Sequence, residues 1–257
     1  MKPIKLYGYC TSPYVRKVGA FLMYKGLDFE FVGISPFEAA SQLSKFGGTQ
    51  VPVLEIGDDW KRDSTPIGHW LDELYPEKLL VPADDPERET ILEMDRWVSD
   101  RFMPSIFRAA IDAPDNLAFR YRAWRLAALV SSGSPLPEQV RNDWPKVLKG
   151  AEFIQAMRPQ MNMEVDADTN RMQLAGEIVT RLGEGPFFGG LDRPSIVDLS
   201  LFPQMVFGVM GGLEEEISAA ALPPLKTWMQ RMAGELPANP VLIPDSYVVK
   251  PLAEALA

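Results

Sequence analysis

Over residues 1–80 the hydrophobic pattern changes period several times within short distances. Ile4–Tyr9 is a short apolar and aromatic run, the pattern of a buried strand. Ser12-Pro13 reads as a helix start, because serine is a favoured N-cap and proline loses nothing at the first helical position. Val15, Val18 and Leu22 recur at helical spacing, and Gly26 closes the helix. Asp28–Ile34 sets Phe29 and Phe31 among polar or small neighbours and predicts a second strand. The helix between these strands is long enough for a parallel crossover. Pro36–Phe46 predicts a short helix broken by Gly47-Gly48, Val51–Ile56 a third strand, Gly57-Asp58-Asp59 a turn, and Trp60–Arg62 a fourth strand. Ser64 is expected to cap a helix to Leu74 that ends before Pro76. The predicted order is β-α-β-α-β-β-α, complete near residue 80.

Beyond that point strand patterns nearly vanish. Pro76–Pro86, with three prolines and three acidic residues, reads as a linker between a domain at 1–80 and an all-helical domain at 87–257. Ile91, Met94, Trp97, Val98 and Arg101 mark one amphipathic helix. Residues 113–136 have a weak apolar stripe and end in Ser-Ser-Gly-Ser-Pro; an irregular or lid-like insertion is expected there. The proline-rich tail, Pro237–Ala257, is expected to lie over the surface. Ser195 and Asp198, three apart at a helix start, form a reciprocal cap.

Composition narrows the function classes. The formal charge of -9 disfavours nucleic acid as a partner. A single cysteine, Cys10, excludes an intrachain disulfide, and one histidine, His69, excludes a multi-histidine metal centre. With no apolar leader and no membrane-length apolar run, the expectation is a cytoplasmic, metal-free protein that does not engage a membrane. His69 is expected at a helix surface or domain contact.

Val51-Pro52 conflicts with its strand-like surroundings, because proline cannot donate a ladder hydrogen bond. A cis peptide in a tight turn, or a trans proline at a strand start, would each resolve it.

Leu6-Tyr7, Ser12-Pro13-Tyr14-Val15-Arg16-Lys17-Val18, Val51-Pro52-Val53-Leu54 and Asp63-Ser64-Thr65-Pro66-Ile67 together resemble the cytosolic glutathione transferase family. The resemblance is close over roughly residues 1–75 and returns around Phe187–Leu201. It implies a thioredoxin-like N-terminal domain followed by an all-helical C-terminal domain. It also implies glutathione as substrate, a homodimer, and a detoxification-type conjugation to a small hydrophobic electrophile. In serine-type branches, including the theta and tau classes, a serine at the place of Ser12 donates its hydroxyl hydrogen to the glutathione sulfur. A free thiol ionises near pH 8.5, so a positioned O–H and a helix N-terminus are needed to favour the thiolate at neutral pH.

The resemblance assigns Val51 and Pro52 to the cis-proline loop, Asp63 and Ser64 to the γ-glutamyl end of glutathione, and Gln50 to its glycyl end. Lys45 is a possible source of charge or a solvated lysine. Met103, Ile106, Phe107 and Tyr121 are candidates for the electrophile site between the domains. Cys10 is the rival nucleophile for a glutathione-dependent thiol reductase. Tyr7 is a third candidate, with a core aromatic as its alternative. One of Arg16 and Lys17 is expected to be a structural or interface charge. A non-catalytic binding module of the same fold is the other reading.

Overall fold

The structure, a computed structural model, describes residues 2–112 and 114–257. Its first part follows the order read from the pattern: β1 (Ile4–Gly8), α1 (Pro13–Tyr24), β2 (Glu30–Gly33), α2 (Ala39–Gln42), β3 (Val53–Ile56), β4 (Asp59–Arg62) and α3 (Ser64–Leu74). The strands form one sheet in the order β2-β1-β3-β4, with β1 parallel to β2 and the other pairs antiparallel. Strand alternation sends Leu6 into the main core with Val15, Val18 and Leu22, and Tyr7 to the other face with Ile34, Leu43, Phe46 and Val53.

Ser12 caps α1, its Oγ accepting from Val15 N–H at 3.4 Å, with Pro13 at the first helical position. Gly26 follows the helix with φ +68°, a conformation glycine adopts without penalty. The start of α3 differs from expectation. Asp63 occupies the cap position, with no side-chain cap bond, and Ser64 is the first helical residue. The reason is spacing: β4 ends at Arg62, so a single residue must turn the chain from strand into helix. Asp63 does so at φ 72° and ψ 131°, a costly combination for a side-chain-bearing residue.

The remainder is helical. α4 (Asp85–Trp97), a π-helical turn at Val98–Phe102 and α5 (Met103–Asp112) run on from one another. They are followed by α6 (Leu117–Gly133), the short α7 (Glu138–Asn142), α8 (Trp144–Gly150) and α9 (Glu152–Ala156). Then come α10 (Ala167–Leu182), α11 (Ile196–Met210), α12 (Pro223–Glu235) and α13 (Leu252–Ala255). α11 is apolar nearly all round and buried along almost its whole length, as a helix at the centre of a core must be. Its start is the capping box expected of Ser195 and Asp198. The buried Asp198 carboxylate accepts from Ser195 N–H and Oγ–H, both at 2.9 Å, Phe188 N–H at 3.1 Å and the Trp228 indole N–H at 2.8 Å.

Two expectations for the helical part are corrected. Residues 117–133 are a regular 17-residue helix, not an irregular stretch; position 113 lies outside the described residues. Asn116 caps it through Phe119 N–H, and Phe119, Ala123, Ala127 and Val130 pack with Leu136 and Trp144 in a separate apolar cluster. The weak stripe arose because alanines supply much of that face. The C-terminal tail is packed rather than superficial: Val241, Ile243, Leu252 and Leu256 join the main core. Val249 N–H donates to Met210 O at 2.8 Å, and Arg125 of α6 donates to Gly211 O and Tyr247 O. α6 also meets the sheet directly. A Cβ at Gly33 would stand 2.2 Å from Gly133 O, so the end of α6 lies flush on the end of β2.

α1 is held against α11 and α4 by a buried ion pair. Lys17, 1% exposed, lies 2.7 Å from Asp95 Oδ1 and donates to Thr65 Oγ1 at 2.9 Å. Thr65 Oγ1–H donates to Asp95 Oδ2 at 2.8 Å, and Ser200 Oγ–H reaches Asp95 Oδ1 at 3.5 Å. Removing one partner of such a pair strands the other in a low dielectric. Asp95→Asn is therefore expected to destabilise the protein by about 3–5 kcal/mol, and Lys17→Met with Asp95→Leu to recover most of that loss. Thermal and denaturant melting of the two variants checks both expectations.

Candidate functional site at one end of the sheet

Strand register determines what converges here. Tyr7 pairs with Val53, and Val53 with Arg62, so the end of β1, the start of β3 and the end of β4 lie at the same end of the sheet. The loop carrying Ser12, the Val51-Pro52 step before β3 and Asp63-Ser64 after β4 therefore emerge together. The N-termini of α1 and α3 open at that end, and both present unpaired N–H groups that favour an anion.

Ser12 is 6% exposed, and its amide donates to Tyr9 O at 2.9 Å. Its hydroxyl oxygen accepts from Val15 N–H, which leaves the hydroxyl hydrogen available for donation. The Val51–Pro52 peptide is cis. Among the described residues no backbone hydrogen bond engages Val51, so its N–H and C=O are available to a peptide-like ligand. Gln50 is exposed, Val51 half-buried and Pro52 buried. Asp63 is exposed and Ser64 buried. Tyr14, on the first turn of α1, has its pKa raised by burial and then by the nearby carboxylates of Asp63 and Asp100.

The other candidates fall elsewhere. Tyr7 is a core aromatic whose hydroxyl donates to Glu55 at 2.5 Å; burial and that bond raise its pKa. Lys45 is paired with Glu55 at 2.8 Å. His69 is half-buried on α3. Of the four electrophile-site candidates, Met103 is 1% exposed and sealed in the core, whereas Tyr121, 63% exposed, lies on the outer surface of α6. Ile106 and Phe107 are half-buried on α5, with Phe107 edge-to-face against Phe153 at 5.5 Å. These four do not come together around one cleft.

Cys10 lies under α6, its thiol donating to Leu129 O at 3.4 Å. It borders a cavity of about 230 Å³ shared with Tyr9, Phe31, Leu129, Val130 and Pro244. Burial pushes the thiol up to about 11, the nearby Arg16 charge being too weak to offset it.

Arg16, which the sequence marked with Lys17 as a candidate structural or interface charge, and Gln204, which it did not single out, are both brought to this loop. Arg16, 2% exposed, donates from Nη1 to Cys10 O at 2.7 Å. Its Nε and Nη2 both donate to Gln204 Oε1, at 2.9 and 2.6 Å. Burial pulls the guanidinium down to about 9, so it remains charged at neutral pH. A signal existed: beyond Asp198 and Ser200 in its first turns, Gln204 is the one polar residue in the apolar run over residues 196–210.

Residues 6–79 match the family model "Glutathione S-transferase, N-terminal domain". An Escherichia coli protein described as an uncharacterized GST-like protein, YibF, is 34% identical over 84 residues, 32% of this chain and 41% of its own length. Glutathione S-transferase Z2 of Arabidopsis thaliana is 33% identical over 124 residues, 46% of this chain and 51% of its own length. The chain thus spans about half or less of these relatives. Among solved structures, human glutathione transferase theta-2 in complex with glutathione superposes with a TM-score of 0.56 at 18% identity, over 92% of this chain and 84% of that one.

With its thiol pushed up to about 11, Cys10 is almost wholly protonated at neutral pH. Its alkylation by iodoacetamide is expected to run at least about a hundredfold slower than that of free glutathione, rising with pH as the thiolate fraction grows. Mass spectrometry of the intact protein over a pH series measures this; alkylation as fast as free glutathione would refute it.

Proposed function

We propose that this chain, whose residues 6–79 match the glutathione S-transferase N-terminal domain and whose overall fold is shared with solved glutathione transferases, binds glutathione and transfers its sulfur to a hydrophobic electrophile. Ser12 is the residue assigned to the sulfur. The observation that carries the reading is the convergence, by strand register, of three groups of functional atoms. They are the Ser12 hydroxyl at the start of α1, the free Val51 backbone beside cis-Pro52, and the Asp63-Ser64 turn at the start of α3.

Each group matches one part of the tripeptide. The Val51 N–H and C=O pair with the backbone of the central cysteine. The γ-glutamyl carboxylate takes the Ser64 N–H and hydroxyl at the start of α3, and Asp63 accepts from its ammonium. Gln50 donates to the glycyl end. The sulfur then lies at the start of α1, where the helix field and the Ser12 O–H both lower the free energy of the thiolate. Ionisation moves the thiol proton to solvent; the thiolate attacks an electrophilic carbon, and either a leaving group departs with its electron pair or, in addition across an activated double bond, the neighbouring carbon that receives the displaced electron pair takes up a proton from solvent. Ile106 and Phe107 are the remaining candidates for contact with the electrophile. In this reading the two parts, 1–80 and 87–257, serve as glutathione-binding and electrophile-binding domains of a cytoplasmic homodimer. Among the described residues no helix is long and apolar enough to cross a membrane.

Cys10 takes no part in this scheme. A thiol reductase would need it as a thiolate, and its buried, carbonyl-bonded thiol opposes that.

Ser12→Ala is expected to lower kcat/KM for conjugation of glutathione to a chlorodinitrobenzene by about 10²–10³, the cost of losing one aimed donor. The same variant should lose the ultraviolet thiolate band of bound glutathione at neutral pH, and Cys10→Ser should retain full activity. Unchanged turnover in Ser12→Ala would remove Ser12 from the mechanism. No calorimetric binding at millimolar glutathione would favour a binding module that has kept the fold without the ligand.

A further inference from the structure

The loop that carries Ser12 is gripped from the helical part of the molecule. Arg16 Nη1–H holds Cys10 O at 2.7 Å, and Gln204 Nε2–H holds Pro13 O at 3.0 Å. Those two carbonyls bracket Thr11 and Ser12. The grips are linked, because Gln204 Oε1 accepts both remaining bonds of the Arg16 fork, and Gln204 Nε2–H is anchored in turn on Ser200 O at 3.1 Å. The orientation of the amide is dictated by chemistry: a guanidinium only donates and a carbonyl only accepts, so Oε1 must face Arg16 and Nε2 must face Pro13. The Phe207 ring, 3.7 Å from the guanidinium carbon, closes the remaining side.

Retention of a cation here needs a reason. Among the described residues no carboxylate forms an ion pair with Arg16, and an apolar side chain would fill the same space without desolvating a charge. What an apolar side chain cannot supply is a rigid fork that donates in two directions at once. One direction fixes Cys10 O and the other fixes Gln204, which itself fixes Pro13 O. Lysine could keep the charge but not that geometry. Neither gripping residue has an assigned contact with glutathione.

We propose that Arg16 and Gln204 are paired positioning residues that hold the Ser12 hydroxyl, through the carbonyls on either side of it, where it meets the glutathione sulfur. The proposal rests on the assignment of Ser12 to that sulfur. It makes α11, which carries Gln204, Ser200 and Phe207, part of the apparatus that ionises the thiol.

The test compares full-length wild type, Arg16→Lys, Gln204→Glu and Ser12→Ala. Gln204→Glu retains an acceptor for the guanidinium and gives it a counter-charge, while it replaces the donor that faces Pro13 O; it guards against a failure of Arg16→Lys to fold. For both positioning variants kcat with glutathione and a chlorodinitrobenzene is expected to fall by about tenfold to a hundredfold, the range for a misplaced reacting group. KM for glutathione should move by less than about threefold, and the thiolate titration of bound glutathione should shift to higher pH, since the donor is misaligned while the binding contacts persist. Folded variants with wild-type kcat and a wild-type thiolate titration would overturn the proposal. If Ser12→Ala itself keeps the thiolate band, the Ser12 assignment is what has failed, and the paired grip falls with it as a catalytic device. Hydrogen exchange then tells whether the grip still exists: faster exchange at the Ser12 amide in Arg16→Lys marks it as purely structural, and unchanged exchange removes it altogether.

Discussion

Burial of α1 against α11 is the constraint on which the molecule turns. α1 carries two consecutive cations, Arg16 and Lys17, and both are almost completely buried. Neither could be placed there by hydrophobic packing alone, because an uncompensated charge in the interior costs several kcal/mol. Each is met by groups from the helical part: Asp95 and Ser200 beside Lys17, Gln204 and Phe207 around Arg16. The sheet-bearing part supplies Thr65, the Cys10 carbonyl and the Phe21 ring, 5.9 Å from Lys17 Nζ. A separated N-terminal part would expose two charges shaped for partners it no longer has. The apparent division near residue 80 is therefore a boundary in secondary-structure content more than in cohesion. Ile196 N–H reinforces it by donating to Leu80 O at 2.7 Å across that boundary.

Local pattern carried the N-terminal part well. Strand alternation, Ser12-Pro13 and Gly26 are decided within a few residues of themselves, and the element order from β1 to α3 follows them. Ser195 and Asp198 were legible for the same reason. What was not legible depended on distant partners or on spacing. The α3 cap went to Asp63 because β4 leaves only one residue for the turn, a tertiary constraint that outweighs serine's preference. α6 was obscured because an alanine-rich face has little hydrophobic contrast, although small residues pack well. The tail looked superficial because prolines dominate its local pattern, yet Val241 and Ile243 are fully buried.

The candidate site divides in the same way. Ser12, Val51, Pro52, Asp63 and Ser64 could be named because each stands in a short motif that resembles a known family. Their convergence is a property of register, which no single motif contains. The electrophile-site candidates were chosen for apolar character, and that criterion cannot separate core from cleft: Met103 went inside and Tyr121 outside. Gln204 lies 188 positions from Arg16, a pairing that only the folded chain reveals.

The contact between Gly33 and Gly133 has a reach out of proportion to its size. Two backbones meet there with no side chain between them, at the edge strand of a small sheet. A single methyl at position 33 would act as a wedge under the end of α6. Lifting that helix would draw Leu129 O away from the Cys10 thiol and Arg125 away from Gly211 and Tyr247, loosening the tail from its seat. An alteration on the strand farthest from β4 would thus be transmitted, by leverage along one helix, to the C-terminal tail around Tyr247.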